Sequence, residues 1–232
     1  MSKVVKCPNC GTSYDITITP ETPEAKSNYL WILDNGHGGI IDGVYQTSGK
    51  RSPVWPDGSQ LFEGEFNRAV VDRIVKLCES NGIEYVNLVD TQEDIPLSTR
   101  TSKANQIAKA SDKPCIYVSV HANGFSDESA NGWEVYTSPG ATKSDKIATV
   151  LFEKAQAEFP EYKMRKDTRD EDPDKEANFY VLVNTSMPAI LSENFFMTNY
   201  KECQLILSEE GRDRVAKIHF EMIQQIENEN KI

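Results

Sequence analysis

An α/β domain built on a largely parallel sheet is what this sequence predicts. Three observations carry that expectation. Short apolar runs alternate with longer stretches of helical period, three of the apolar runs end in small polar residues, and 232 residues suffice to bury a continuous core. Hydrophobic residues make up 38% and charged residues 26%, with nine Phe, nine Tyr and three Trp, a composition that folds rather than staying disordered.

Residues 1–28 stand apart from the rest. KVVKCPNCGTSYDI has the form of a small knuckle, because Cys7 and Cys10 ahead of Gly11 make the tight turn that lets two thiolates face one metal. The pair is half of a zinc ribbon, and no nearby second CxxC supplies two further ligands. A minor structural or tethering role is the favoured reading of this segment, beside a second zinc at Cys7 and Cys10, a vestigial knuckle, a site shared between two chains and a docking element. TITPETPEAKSN follows as a polar linker.

The main domain is expected over 29–232. NYLWILD is its first strand. EGEFNRAVVDRIVKLCESNG is a helix, since Phe66, Val70, Ile74, Leu77 and Cys78 form one stripe and Gly82 falls at a left-handed C-terminal cap. GIEYVNLVDT is a second strand, RTSKANQIAKAS a second helix, KPCIYVSVHA a third strand, and NGWEVYTS a fourth on an edge. KSDKIATVLFEKAQAEF is a third helix, SMPAILSE a late buried strand, and EEGRDRVAKIHFEMIQQI an amphipathic closing helix.

Charge and hydropathy exclude several function classes. With 25 Lys and Arg against 36 Asp and Glu, the formal net charge of −11 argues against affinity that rests on neutralising phosphates, so nucleic acid is not an expected partner. No apolar run reaches the roughly 20 residues of a membrane span, and MSKVVKCPNC lacks a signal-peptide core, so synthesis in the cytoplasm is the expectation. Cys78, Cys115 and Cys203 sit within helix or strand patterns and read as reduced, buried thiols.

The chemistry concentrates at three strand ends. WILD leads into Asn35-Gly36-His37-Gly38-Gly39, IYVSV into His121-Ala122-Asn123, and PAIL into Ser192-Glu193-Asn194. Parallel sheets place ligands outside the carboxyl ends of their strands, so the three turns are expected to converge. Two of only three histidines, His37 and His121, lie there, and Glu63 at the start of the first long helix offers a third donor. Two imidazoles and a carboxylate suit zinc with an open position for water. Glu193 is placed as the general acid/base of an amide hydrolysis. Asp34, Asn35, Ser119 and Asn123 are within sequence reach as orienting partners of the imidazoles.

At these residues the chain resembles the zinc-dependent N-acetylmuramoyl-L-alanine amidases of the type 3 class, phage endolysins among them. LDNGHGG, EGEFNRAV, SVHANG and AILSENFFMTN resemble the family's motifs in order, with TQEDIPLSTRTSKANQIA between them similar to its Arg- and Asn-containing helix. The resemblance runs from about Tyr29 to the final helix. It implies His37, Glu63 and His121 as ligands of one catalytic zinc, Glu193 as the catalytic carboxylate, peptidoglycan as substrate, and a single twisted, mostly parallel (mixed) sheet with helices on both faces. With no export signal read in the chain, the enzyme is expected to reach the cell wall through a membrane hole or as part of a phage particle. Two positions depart from the family pattern: Phe195 stands where many members have glycine, and Glu65 is a competing carboxylate two residues from Glu63.

Plainer readings stand beside these. A lone histidine in a glycine turn is more often a turn residue, and a glutamate at a helix start commonly serves the macrodipole. Glu193 alone reads as a buried, paired carboxylate, and His219 as structural. The run YKMRKDTRDEDPDKEANF is a solvated loop, or else Arg165, Lys166 and Arg169 greet substrate carboxylates. Trp55 and Trp133 are loop anchors or stacking faces. Asn35, Asn123 and Arg165 are the candidate substrate contacts. Within the same metal chemistry, a zinc peptidase or carboxypeptidase is the alternative, and a wall-binding or assembly module without turnover is the other.

Overall fold

The computed structural model describes residues 2–6, 13–17, 27–167, 169 and 172–232; Cys7 and Cys10 lie outside the described residues. In chain order the strands are β1 (Ser2–Lys6), β2 (Ser13–Thr17), β3 (Leu30–Asn35), β4 (Ile40–Ile41), β5 (Val44–Tyr45), β6 (Tyr85–Asn87), β7 (Cys115–Asn123), β8 (Glu134–Thr137), β9 (Lys175–Glu176) and β10 (Ala189–Phe196). The helices are α1 (Glu63–Ser80), α2 (Leu97–Ala110), α3 (Lys143–Glu158), α4 (Tyr180–Val183), α5 (Tyr200–Leu207) and α6 (Glu209–Glu229). β1 and β2 pair antiparallel, as do the two-residue strands β4 and β5.

Six strands form the main sheet in the order β6-β3-β7-β10-β8-β9. β6, β3, β7 and β10 run parallel, and β8 is antiparallel to β10. The sheet is therefore mixed and mostly parallel. Short β9 pairs with β8 and covers the edge on which β8 was expected.

Alternation along each strand divides the core into two layers. Trp31 and Leu33 of β3, with Ile116, Val118 and Val120 of β7, pack beneath α1, α3 and α6. Ile32, Cys115, Tyr117 and Leu191 point the other way, against Ala104 of α2 and Val181 and Leu182 of α4. Burial of both faces explains why these strands read as continuous apolar runs.

Local signals set the helix ends. At the end of α1, Gly82 has φ 66°, Ile83 N donates to the Cys78 carbonyl at 3.0 Å and Gly82 N to the Glu79 carbonyl. This is the paired closure of a Schellman cap. Thr142 and Asp145 form a reciprocal capping box on α3. The entry to the domain is fastened at residues 27–31: Glu227 on α6 accepts from Ser27 Oγ at 2.8 Å and from Trp31 Nε1 at 2.7 Å. No helix among the described residues is long and apolar enough to cross a membrane.

His219 has the structural role expected of it. It is fully buried, with Nδ1 2.7 Å from the Val215 carbonyl and Nε2 2.8 Å from Ser192 Oγ. Burial pushes its pKa down to about 4, against the opposing pull of the Val215 carbonyl. Because the unfolded chain takes up this proton near pH 6.5, the contribution is complete above that pH and is lost as pH falls toward 4. At 1.36 kcal/mol per pKa unit the loss is about 3 kcal/mol. Denaturant unfolding of the wild type and of His219→Gln at pH 7 and pH 4.5 should show the acid-side slope reduced in the variant; equal slopes would contradict the assignment.

Candidate active site

The parallel register brings the three polar strand ends together. Asp34 and Asn35 of β3 lie level with Ser119 and Val120 of β7, and Glu193 of β10 lies level with His121. His37 follows two residues beyond β3, and Glu63 opens α1 over the same end of the sheet.

Glu63 joins the two histidines. Its Oε1 lies 2.9 Å from His121 Nδ1 and 3.1 Å from His37 Nε2, and the donor atoms of all three residues fall within 4.8 Å of one another. Burial raises the proton affinity of this carboxyl, but hydrogen bonds from His121 and His37 outweigh it and hold the group well below the ordinary carboxylate range. Burial lowers the pKa of His37. For His121 burial acts in the same direction, yet the Glu63 carboxylate prevails and raises it. Glu65 stands apart from this set, beside Gly39 and Gln92, so the structure groups Glu63 with the histidines.

The donors fit a zinc ion. Two imidazole nitrogens and a carboxylate oxygen are a zinc-type set, Glu63 Oε2 is buried with no hydrogen-bond partner, and the Gly36 backbone lies directly under the His121 ring.

Glu193 completes the site. Its Oε2 is buried and without a hydrogen-bond partner, and desolvation pushes its pKa up to about 8, with His121 pulling down and Glu63 and Glu134 pushing up. The plain reading of a carboxylate paired with Arg or Lys does not hold for it among the described residues. Two cavities meet here. One, of about 570 Å³, runs from His37, His121 and Glu193 past Arg100 to an apolar wall of Ile95, Leu97, Phe179 and Tyr180. The other, of about 560 Å³, lies on the side of Glu63, Asn123, Gly124 and Thr198; Lys50 and Glu193 line both.

Several expected contacts sit elsewhere. Asn35 is 1% exposed, and its amide donates to the Val89 carbonyl at 2.9 Å, tying β3 to the segment after β6 rather than facing the crevice. Arg165 pairs with Glu134 at 2.7 Å and lies over the Phe196 ring. It lines neither cavity. Asn123 does line the second cavity, with its amide bonded to Glu134. None of the four proposed orienting residues is bonded to an imidazole among the described residues: Asp34, for instance, accepts from Arg100, Tyr117 and Ser119. Trp133 is fully buried, donating to Asn194 Oδ1 at 2.8 Å, and Trp55 is packed on Tyr200; both are anchors, not stacking faces.

Phe195 explains its own departure from the family pattern. It sits at φ 70° where the β7–β10 register shifts, and its ring is buried against Phe159 and Tyr162. Glycine suits that backbone conformation, and Phe195 lines neither cavity. In this chain aromatic packing offsets a left-handed cost of roughly 1–2 kcal/mol.

Sequence reading passed over Lys50, Arg68 and Arg100 as site residues. The available signal was an arginine at an inward-facing helical position, which is rare unless it is bonded inside.

The sequence pattern of the N-acetylmuramoyl-L-alanine amidase family matches residues 32–225. The chain belongs to this family. It is 28% identical over 187 residues to the N-acetylmuramoyl-L-alanine amidase LytC of Bacillus subtilis, covering 80% of this chain and 33% of that one. It is 29% identical over 209 residues to the endolysin of Bacillus phage SPP1, covering 88% of this chain and 68% of the endolysin. The fold is that of the N-acetylmuramoyl-L-alanine amidase from Clostridium difficile 630, with a TM-score of 0.68 at 24% identity over 88% of this chain and 100% of that one.

Proposed function

We propose that this chain hydrolyses the amide bond between the lactyl group of N-acetylmuramic acid and the L-alanine of the peptidoglycan stem peptide. His37, Glu63 and His121 hold one zinc ion, and Glu193 is the general acid/base. The observation that carries this reading is the buried, unpartnered Glu193 Oε2 beside a preassembled two-histidine, one-carboxylate donor set in a chain of the amidase family.

When bound, zinc supplies Lewis acidity toward a carbonyl and an acidified water. The residues of the chain do the rest. Glu193 takes the proton from the attacking water and returns it to the leaving amine, and its raised proton affinity suits one group to both steps. The two cavities on either side of Glu193 receive the two halves of the substrate.

The same reading extends to the rest of the chain. The antiparallel pairing of β1 and β2 supports residues 1–28 as a small N-terminal unit and linker; a second zinc at Cys7 and Cys10 is part of the same proposal and rests on their CxxC spacing. The likeness to a phage endolysin supports an enzyme that meets the cell wall after release through a membrane hole.

The test is mass spectrometry of purified peptidoglycan after digestion, with and without a chelator. Free stem peptides beginning at L-alanine, intact glycan strands and arrest by chelation are expected. Peptides shortened while still attached to sugar would replace the amidase reading with a peptidase one, and no release at all would favour a binding module.

A further inference from the structure

His37 is held in an unusual way. It is one of four non-glycine residues with positive φ among the described residues, at 68°, a left-handed region that residues other than glycine occupy uncommonly and at a cost. Its carbonyl oxygen accepts from two guanidiniums, Arg68 Nη2 at 3.0 Å and Arg100 Nη2 at 3.0 Å. Both arginines are buried, 7% and 2% exposed. Neither is a lone pairing. Arg68, on α1, also donates to the carbonyl of Gly64, which follows Glu63, and to that of Thr91. Arg100, on α2, also donates to Asp34 Oδ1 and to the carbonyls of Asn35 and Ile95. Asn67 adds a bond from its amide to the Gly36 carbonyl at 2.9 Å.

An arginine fork satisfies several carbonyls at once in fixed geometry, which a lysine does not. Here two forks from two helices converge on the carbonyl of a residue held at positive φ. We propose that Arg68 and Arg100 are positioning residues that clasp the His37 carbonyl, hold the left-handed turn, and keep Nε2 aimed at Glu63 before any metal arrives. The inference rests on the zinc reading given above. Arg68 has the larger share in matching ligand to ligand, because it spans from the residue after Glu63 to His37; Arg100 fixes the same carbonyl to β3.

The test is zinc affinity of the metal-free protein, measured by competition with a chromophoric chelator, together with thermal unfolding and the imidazole resonances of His37. Arg68→Met is expected to weaken zinc about 10- to 100-fold, the range for residues that orient ligands. It should also shift the His37 resonances in the metal-free state. Arg73→Met on the same helix, which removes pairs to Glu209 and Asp213 on α6, should change unfolding without changing zinc affinity. Should Arg68→Met fail to fold, Arg100→Lys, which retains a charge beside Asp34 but loses the fork, gives the same readout with a smaller weakening, nearer the tenfold end of that range. Zinc affinity within twofold of wild type in a folded variant overturns the clasp. If the wild type binds zinc no better than His37→Ala does, the metal reading itself falls, and the clasp with it.

Discussion

Glu193→Gln is expected to leave the fold and the zinc content unchanged while lowering peptide release about 10²- to 10⁴-fold, the usual contribution of a positioned acid/base. Glutamine keeps the shape of the side chain but neither accepts nor returns the proton. The variant should not lose stability, because the wild-type carboxyl is already desolvated, with Oε2 unpaired and Glu63 and Glu134 pushing its proton affinity up. A neutral group there removes a like-charge repulsion. His37→Ala is the companion measurement, in which zinc and activity should disappear together. Zinc stoichiometry and stem-peptide release measured on both proteins decide the matter. Turnover within tenfold of wild type for Glu193→Gln would remove the proton shuttle from the mechanism.

The second large effect is expected from a single methyl group. Gly36→Ala places a Cβ 2.1 Å from His121 Cε1, 2.3 Å from Nε2 and 2.6 Å from Nδ1, separations no side chain tolerates. Gly36 is not among the positive-φ glycines, so the collision and not backbone strain is the whole of the perturbation. The ring must swing toward the cavity, and Nδ1 then leaves Glu63. Zinc affinity should fall by two orders of magnitude or more, on the scale of losing a properly oriented ligand. Thermal stability should change little, because the displaced ring has a cavity to enter. Zinc titration against thermal unfolding separates the two; wild-type affinity in Gly36→Ala would mean that His121 is not held where the ligand set requires it.

Much of this was legible in the chain. The glycines and small polar residues that end three apolar runs mark strand ends, and parallel strands aim those ends one way. His37, Glu63, His121 and Glu193 were therefore expected together; the register of β3, β7 and β10 brings their ends level, and the start of α1 sets Glu63 against both histidines. The helical stripe and terminal glycine of α1 were equally plain, because they are local signals. What escaped was whatever depends on closure of the chain over long distances. Arg68 and Arg100 look like ordinary helical arginines until two helices pack and their guanidiniums meet the same carbonyl. Four-residue α4, and β4, β5 and β9 at two residues each, are too short to carry a period, and eight-residue α5 fell between the late strand and the closing helix without a reading of its own. Trp133 looked like a loop residue because the strand it precedes is only four residues long. Asn35 and Arg165 were misplaced for a related reason: proximity in sequence to a strand end or a charge run does not say which neighbour offers a bond.

The meeting of two cavities at Lys50 and Glu193 has a bearing on where along a polymer this protein cuts. An enzyme that trims ends needs a wall on one side of its reacting centre, against which the terminus is counted. Here Glu193 lines both cavities, so open space lies to either side of it. A strand laid across such a trough is engaged from the flank and gripped on both sides of the bond that breaks. The shape suits scission at junctions within a cross-linked mesh, without waiting for a loose end to appear.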